Sequence, residues 1–232
     1  MAETVKISEN TWRIEDGMVR FFLLAGAEKA LFIDSGVSGQ DLFEIAKGLT
    51  ALPLMLLNTH ADGDHTAANG AFPECYMHPA DEAQYRERFA DGRIVPLEDG
   101  QIIDLGGRPL KIIHIPGHTA GSVAILDINA RALYSGDSVQ THNIYMFGPR
   151  RSMADLVASL KKLQAMQDAF DVIYPSHGQP QAGPELIGKL IEGAGEIMSG
   201  RAQGTDQELR GIPITLYSFP YAGFYCDRKA AQ

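Results

Sequence analysis

The chain has 232 residues, of which 45% are hydrophobic and 21% are charged, and its formal net charge at pH 7 is -9. This composition is typical of a globular protein, and no linker-like segment divides it, so we expect a single domain over residues 1–232. The acidic balance argues against a nucleic-acid partner, and no apolar stretch is long enough to span a bilayer. Residues 1–6 lack the pattern of a signal peptide, so we expect a cytoplasmic protein.

The first half of the chain predicts strands followed by helices. Apolar runs separated by glycine turns predict strands at 11–14, 18–25 and 29–34. Ser38 can cap a helix that extends to Leu49, because apolar residues recur there at helical spacing. Two further strands at 54–58 and 75–77 and a helix at 79–89 complete this half.

The second half repeats the pattern. Residues 91–100 read as a surface loop, and strands are predicted at 101–105, 109–115, 122–128, 131–135 and 171–174. A loop is predicted at 138–151, a helix from Ser152 or Asp155 to 168, and another helix at 184–198. Two successive sets of strands and helices predict two stacked sheets with helices on both outer faces.

Residues 58–65 carry an unusual density of metal-binding side chains. This stretch, Asn-Thr-His-Ala-Asp-Gly-Asp-His, directly follows the apolar run 54–57. Imidazoles and carboxylates suit a plain core poorly, but they suit a metal site at the rim of a rigid sheet. Other candidates also follow predicted strands, and histidine ligands select zinc, iron, cobalt or copper over magnesium or calcium. The candidate ligands are His60, Asp62, Asp64, His65, His118, Asp137 and His177.

The chain resembles the metallo-β-lactamase-fold hydrolase superfamily in the order of these motifs. In length it is similar to the small members of that superfamily, such as hydroxyacylglutathione hydrolases and lactonases. Residues 60–65 resemble the His-x-His-x-Asp-His motif, and Asp34 resembles an early structural aspartate. Residues 116–119, 136–137 and 176–178 resemble the three later motifs. The resemblance implies an α/β (α+β) fold, a four-layer αββα sandwich of two mixed β-sheets flanked by helices.

The resemblance also implies a binuclear centre of two divalent transition metals, with zinc favoured. His60, Asp62 and His118 would bind one metal, and Asp64, His65 and His177 would bind the other, with Asp137 bridging them. A metal-bound hydroxide would then attack an ester, thioester, lactone or related bond, and Asp64 would orient it as a catalytic residue. Asp62 stands where the family usually has a second histidine, which makes iron or manganese more competitive with zinc.

Residues around the ligands have further predicted roles. Asp34 and Thr59 are expected to hydrogen-bond the ligand imidazoles. His142 and Tyr145 lie in the predicted loop after Asp137 and could contact substrate, although a solvated loop histidine fits His142 equally well.

Two histidines, a pair of arginines and an aromatic patch have both a functional and a simpler structural interpretation. His78 and His114 are expected to be packed or surface histidines rather than ligands. Arg150 and Arg151 are interpreted as surface charges before a helix, with binding of a substrate anion as the alternative. The aromatic patch within residues 212–225 predicts a flap over the core, with a substrate wall or homodimer contact as alternatives.

Three functions are therefore open. The first is a metal-dependent hydrolase acting on a small-molecule substrate. The second is a diiron or mononuclear iron oxidoreductase on the same fold, which Asp62 keeps open. The third is a non-catalytic metal- or ligand-binding protein, because one fold hosts many functions.

Overall fold

A seven-stranded mixed sheet forms one half of the structure, a computed structural model that describes residues 3–228. Its strands lie in chain order, with antiparallel pairing among the first four and parallel pairing from the fourth to the seventh. Because successive side chains of a strand point to opposite faces, Phe21 and Phe22 enter different apolar clusters. The strands are β1 (Glu3–Ser8), β2 (Thr11–Asp16), β3 (Val19–Ala25), β4 (Ala30–Ile33), β5 (Leu54–Leu57), β6 (Glu74–Met77) and β7 (Arg93–Pro96).

A five-stranded mixed sheet forms the other half. Ile112 and Ile125 pack against the first sheet, whereas Ile113 and Ala124 face the opposite way. The sheet therefore buries both of its faces, and its strands read as nearly continuous apolar runs. In spatial order it contains β13 (Val172–Pro175), β11 (Ala132–Gly136), β10 (Val123–Asp127), β9 (Pro109–His114) and β8 (Ile102–Asp104).

Four α-helices cover the outer faces of the two sheets. Helices α1 (Leu42–Lys47) and α2 (Glu82–Arg86) supply residues to the cluster outside the first sheet. Helices α3 (Met153–Gln164) and α4 (Glu185–Met198) supply the cluster outside the second. Ser152 caps α3 by accepting a hydrogen bond from Asp155 N at 3.2 Å. The predicted four-layer αββα sandwich of two mixed sheets flanked by helices is confirmed.

A third, four-stranded sheet was not predicted. Strand β14 (Thr205–Leu209) is polar and exposed. Strand β12 (Asn143–Met146) has only 4 residues and pairs in parallel with a strand about eighty residues further along, so neither strand is recognisable from its own sequence. Aromatic residues Tyr217 and Phe224 pack from this sheet into the cluster around α3 and α4, as the flap interpretation expects. In spatial order the strands are β12 (Asn143–Met146), β16 (Gly223–Asp227), β15 (Ile212–Ser218) and β14 (Thr205–Leu209).

Other element boundaries also differ from the predictions. Strand β1 was missed, and the predicted loop at 91–100 contains the short strand β7. The predicted helix at 79–89 is a 3₁₀ turn, Pro79–Asp81, followed by α2. Within the described range, no helix has the length and apolar character needed to cross a membrane. The single domain over 1–232 stays a prediction, and residues 1–2 and 229–232 lie outside the described residues.

Candidate metal centre

The ligand candidates converge where strands of both sheets end. Residues 60–65 follow β5 of the first sheet, and His118, Asp137 and His177 follow β9, β11 and β13 of the second. A backbone hydrogen bond of 2.8 Å from Val123 N to Thr59 O joins the two sheets at this edge. The structure thus brings all seven predicted ligands into three overlapping clusters.

One cluster, here called half-site 1, contains His60, Asp62 and His118. His60 Nε2 and His118 Nε2 lie 3.2 Å apart. Asp62 Oδ2 lies 3.6 Å from His60 Nε2 and 3.3 Å from His118 Nε2. Three ligand atoms therefore point at one another around a common centre.

A second cluster, half-site 2, contains Asp64, His65 and His177. Asp64 Oδ2 lies 3.8 Å from His65 Nε2 and 3.3 Å from His177 Nε2. Asp137 lies between the two half-sites: one oxygen is 3.3 Å from His65 Nε2, and the other is 3.3 Å from His177 Nε2 and 3.6 Å from His118 Nε2. Its position fits a carboxylate that bridges the two half-sites.

The donor set fits transition-metal binding. His65 Nε2 and Asp137 Oδ1 are both buried and face each other at 3.3 Å, but neither makes a hydrogen bond of acceptable geometry among the described residues. Buried polar atoms without a partner are rare in native structures, because each loses its interaction with water. A cation contacted by both atoms would satisfy them, and the mixture of imidazole and carboxylate donors suits zinc, iron or manganese.

Backbone carbonyls orient two of the imidazoles. His118 Nδ1 lies 3.0 Å from Tyr145 O, and His177 Nδ1 lies 2.7 Å from Met18 O. Because a carbonyl only accepts hydrogen bonds, each Nδ1 must donate, so the Nε2 that faces the centre is the atom left to bind a metal when the imidazole is neutral. Tyr145 therefore orients His118 through its backbone carbonyl. Tyr145 belongs to strand β12 and not to the predicted loop.

Asp34 orients the other side of the centre. It is 1% exposed as a side chain, and its Oδ2 lies 2.8 Å from His65 Nδ1. It also accepts hydrogen bonds from Thr59 N at 2.7 Å and Thr59 Oγ1 at 2.8 Å. Thr59 Oγ1 in turn lies 2.9 Å from His60 Nδ1. Asp34 has φ of 65°, a strained conformation for a non-glycine residue that positions its carboxylate beneath two ligands.

The ionisable groups of half-site 2 perturb one another strongly. Burial lowers the pKa of His177, but the charge of Asp137 and hydrogen bonds to Asp137 and Asp64 outweigh it and raise the pKa to about 10. Burial raises the pKa of Asp64, but the charge of His65 and the hydrogen bond with His177 bring it down to about 2. The metal-free cluster is therefore held together by ionised carboxylates and a protonated imidazole.

Asp62 has two partners that the sequence did not reveal. Arg151 Nη2 donates to Asp62 Oδ2 at 2.6 Å, and Gln84 Nε2 donates to Asp62 Oδ1 at 2.6 Å. The interpretation of Arg151 as a surface charge is wrong, since its side chain is 12% exposed and paired with a residue of the cluster. Arg150 does lie at the surface, where it pairs with Glu87.

Two glycines allow close approach of the backbone beside a ligand. Gly117, which precedes His118, has φ of 143°, and a Cβ built there would lie 2.4 Å from the backbone of Leu156 in α3. Gly136, which precedes Asp137, has φ of 53°, and a Cβ there would lie 2.9 Å from Thr59. Any other residue in place of either glycine would disfavour these backbone conformations and would displace the ligand that follows it.

Two further residues hold the ligand loops, and sequence reasoning missed both. The buried Arg20 donates to the carbonyls of Gly178 at 2.8 Å and Gln179 at 3.1 Å, which fixes the turn carrying His177. Its signal was a lone arginine inside an apolar strand. Asp81 is 3% exposed and accepts hydrogen bonds from Ala61 N at 3.0 Å and Thr119 Oγ1 at 2.8 Å, which links two ligand loops.

A cavity of about 460 Å³ opens above the cluster. Asp62, Asp64, Asp137 and His177 form its floor. The third sheet supplies much of its wall, including Tyr145 of β12. The apolar part of the lining comprises Met18, Val37, Tyr145, Phe147, Leu209 and Ile212, and exposed Arg88 and Arg210 also contribute.

The remaining histidines lie outside the cluster. His142 lines the cavity but is exposed, and burial together with nearby His177 lowers its pKa. His78 and His114 stack on each other with ring centroids 3.8 Å apart, and His114 Nε2 hydrogen-bonds Ala120 O at 2.9 Å. This placement agrees with their interpretation as packed histidines.

The chain belongs to the metallo-beta-lactamase superfamily, whose family model matches residues 14–177. The curated relatives include proteins named as thioesterases. Together, the family and these relatives make the protein a hydrolase enzyme, as predicted. An acyl-coenzyme A thioesterase, MBLAC2, of Gallus gallus is 27% identical over 196 residues, which cover 67% of this chain and 71% of the relative. An atrochrysone carboxyl ACP thioesterase, AgnL7, of Paecilomyces divaricatus is 33% identical over 137 residues, 57% of this chain and 39% of the relative.

Solved structures share the fold. A metallo-beta-lactamase from Pontibacter korlensis superposes with a TM-score of 0.70 at 20% identity, covering 83% of this chain and 98% of that one. The structure of TMB-1 superposes with a TM-score of 0.73 at 14% identity, covering 85% and 98%. At these identities the likeness concerns the fold alone.

Proposed function

We propose that the protein is a metal-dependent thioesterase that hydrolyses small acyl thioesters with a binuclear metal centre, most favourably of zinc. The observation that carries this proposal is the convergence of seven histidine and aspartate side chains, two of which keep a buried atom that makes no hydrogen bond with any described residue. His60, Asp62 and His118 would hold one metal. Asp64, His65 and His177 would hold the other, with Asp137 shared.

The reaction adds water to the thioester carbonyl carbon, breaks the carbon–sulfur bond, and releases a carboxylic acid and a thiol. When bound, a pair of divalent metals supplies Lewis acidity and lowers the pKa of water. Asp64 faces the cavity with a side chain that is 30% exposed, and its low pKa keeps its carboxylate ionised at neutral pH. Its carboxylate can therefore accept a hydrogen bond from the attacking water and orient it.

The cavity above the cluster supports a small acyl substrate. Its volume lies within the range of small-molecule sites, and apolar side chains such as Phe147 and Ile212 can pack against an acyl chain. Arg88 and Arg210 place positive charge beside it, although the whole chain has a net charge of -9. A thioester carrying an anionic group on its thiol portion would suit these two cations. The names of the thioesterase relatives support the same bond class.

The iron oxidoreductase alternative depended on Asp62, which brings a negative charge and a hard oxygen ligand where the family usually has a histidine. Arg151 donates to that carboxylate at 2.6 Å, and the pair is neutral as a whole. This compensation reduces the extra anionic charge that would favour iron over zinc. The hydrolase therefore fits the site better.

The experiment that tests this proposal is a hydrolysis assay with acyl-coenzyme A thioesters of graded chain length and matched oxygen esters. The zinc-loaded protein should release free thiol, and chelation should abolish the release until zinc is restored. His118→Ala should lower kcat/KM by at least about a hundredfold, because it removes a proposed metal ligand.

His114→Ala is the matched control, because His114 belongs to the stacked pair outside the cluster. It should leave turnover close to that of the unmodified protein. Thiol release that persists in the chelated protein, or equally in His118→Ala, would contradict the proposed reaction.

A further inference from the structure

We propose that Arg151 is a positioning residue that weakens half-site 1 for metal, so that half-site 2 fills first and half-site 1 exchanges its metal readily. The inference rests on the proposed metal centre and adds an order to its loading. The observation behind it is the direct contact of the Arg151 guanidinium with Asp62 Oδ2, the oxygen that faces His60 and His118.

The two half-sites differ in what the protein has already satisfied. Both oxygens of Asp62 accept a hydrogen bond, one from Arg151 and one from Gln84. In half-site 2, by contrast, His65 Nε2 is buried without a hydrogen-bond partner among residues 3–228, and so is Asp137 Oδ1 beside it. A metal entering half-site 2 relieves unsatisfied atoms, whereas a metal entering half-site 1 must share an oxygen that Arg151 already holds.

Arg151 is held in place on both sides of its backbone. Its own N–H donates to Gly148 O at 3.3 Å, and the next residue, Ser152, donates to Gly117 O at 2.9 Å and caps α3. The side chain is only 12% exposed, so the guanidinium lies packed against the protein beside Asp62 rather than in solvent. Its charge therefore stays beside half-site 1.

The sign of the effect follows from Coulomb's law. A divalent cation bound by Asp62 would lie within a few ångströms of the guanidinium, in a partly buried site where screening by water is weak. Repulsion between the two cations lowers the affinity of half-site 1. The guanidinium contacts Asp62 of half-site 1, whereas half-site 2 has two carboxylates, Asp64 and Asp137, among its contacts.

The test is a titration of the metal-free 232-residue chain with Co²⁺, in which binding is measured by calorimetry and by the visible absorption of the bound ion. The unmodified protein should show a tight step and a weaker step. Arg151→Met should tighten the weaker step by about tenfold or more and leave the tight step unchanged, because one repelling charge is removed. Arg151→Lys keeps the charge and should titrate like the unmodified protein.

Two further variants separate charge from structural damage. Gln84→Leu removes the other partner of Asp62 without changing charge, so it should not tighten the weaker step. Arg150→Met removes a neighbouring but exposed arginine and should leave both steps unchanged. A structural lesion can loosen metal binding, but it does not tighten one step selectively.

The outcomes separate this inference from the proposed function. Two steps of equal affinity in the unmodified protein, or a weaker step in Arg151→Met that is not tightened, would overturn the role of Arg151 and leave the metal-dependent hydrolase standing. Tightening in Gln84→Leu as large as in Arg151→Met would do the same. Absence of any binding step would overturn the metal centre itself, and the inference with it.

Discussion

Replacing Asp34 by asparagine is the sharpest perturbation of the centre that leaves every proposed metal ligand in place. Asparagine has nearly the same size and tolerates the positive φ of 65° at this position. The change therefore acts on charge and hydrogen bonding. Asp34 accepts three hydrogen bonds, from Thr59 N, Thr59 Oγ1 and His65 Nδ1.

An asparagine whose oxygen stays on Thr59 N turns its NH₂ group towards His65 Nδ1. That imidazole nitrogen must then accept instead of donating, so the proton moves to Nε2, the atom that would bind metal. We expect the metal affinity of half-site 2 to fall roughly 10- to 100-fold. The metal-free protein should also lose about 2–4 kcal/mol of unfolding free energy, because two buried charge-assisted hydrogen bonds to Asp34 Oδ2 are replaced by weaker neutral ones.

The assay is a chelator-competition titration with Zn²⁺, combined with urea unfolding of the metal-free protein. Asp99→Asn is the control, since Asp99 is an exposed carboxylate paired with Lys162. It should change neither quantity by more than about 0.5 kcal/mol. Zinc affinity of Asp34→Asn equal to that of the unmodified protein would refute the argument that Asp34 sets the tautomer of His65.

Three further expectations follow from the packing and the charges. Gly117→Ala should lower the unfolding free energy, measured in urea, by at least about 3 kcal/mol, because the new Cβ would clash with Leu156. Gly107→Ala is the control. It has open space around it and should cost only about 1 kcal/mol, because alanine disfavours the φ of 74° at this position. The pKa of His177 is raised from 6.5 to about 10, so protonation of His177 stabilises the metal-free fold fully below pH 6.5, and this contribution is lost as the pH rises towards 10. The melting temperature of the metal-free protein should therefore fall across this pH range. A His177→Gln variant should not show this fall. Leu160→Ala should lower the unfolding free energy by about 2–5 kcal/mol, because Leu160 is fully buried in the apolar cluster around α3. The number of metals bound per chain should stay the same, because Leu160 is not one of the proposed ligands. A changed number would contradict the view that this apolar cluster and the metal centre are independent.

The parts of the site that the sequence predicted are those with a local signal. The ligands of residues 60–65 follow an apolar strand directly, and His118, Asp137 and His177 each follow another strand. In a sheet, the ends of neighbouring strands meet at one edge, so the position of each ligand along the chain predicts its position in space. The αββα layers were predictable for the same reason, because strands and helices alternate in two blocks.

The parts that the sequence did not predict depend on contacts between distant segments. The Arg151–Asp62 pair joins residues 89 positions apart, and an arginine before a helix looks like any other surface charge. Strand β14 is exposed and polar, and it is stabilised by pairing with β15 rather than by burial of its own side chains. Long-range ion pairs and polar edge strands carry no periodic pattern that could reveal them.

A crystal structure of the protein equilibrated with Zn²⁺, with diffraction data collected on both sides of the zinc absorption edge, would locate bound zinc directly. We expect two anomalous peaks: a strong one among Asp64, His65, His177 and Asp137, and a weaker one among His60, Asp62 and His118. Asp137→Ala should lose occupancy at both positions. A map without an anomalous peak at either half-site would contradict the metal centre on which the proposed hydrolase depends.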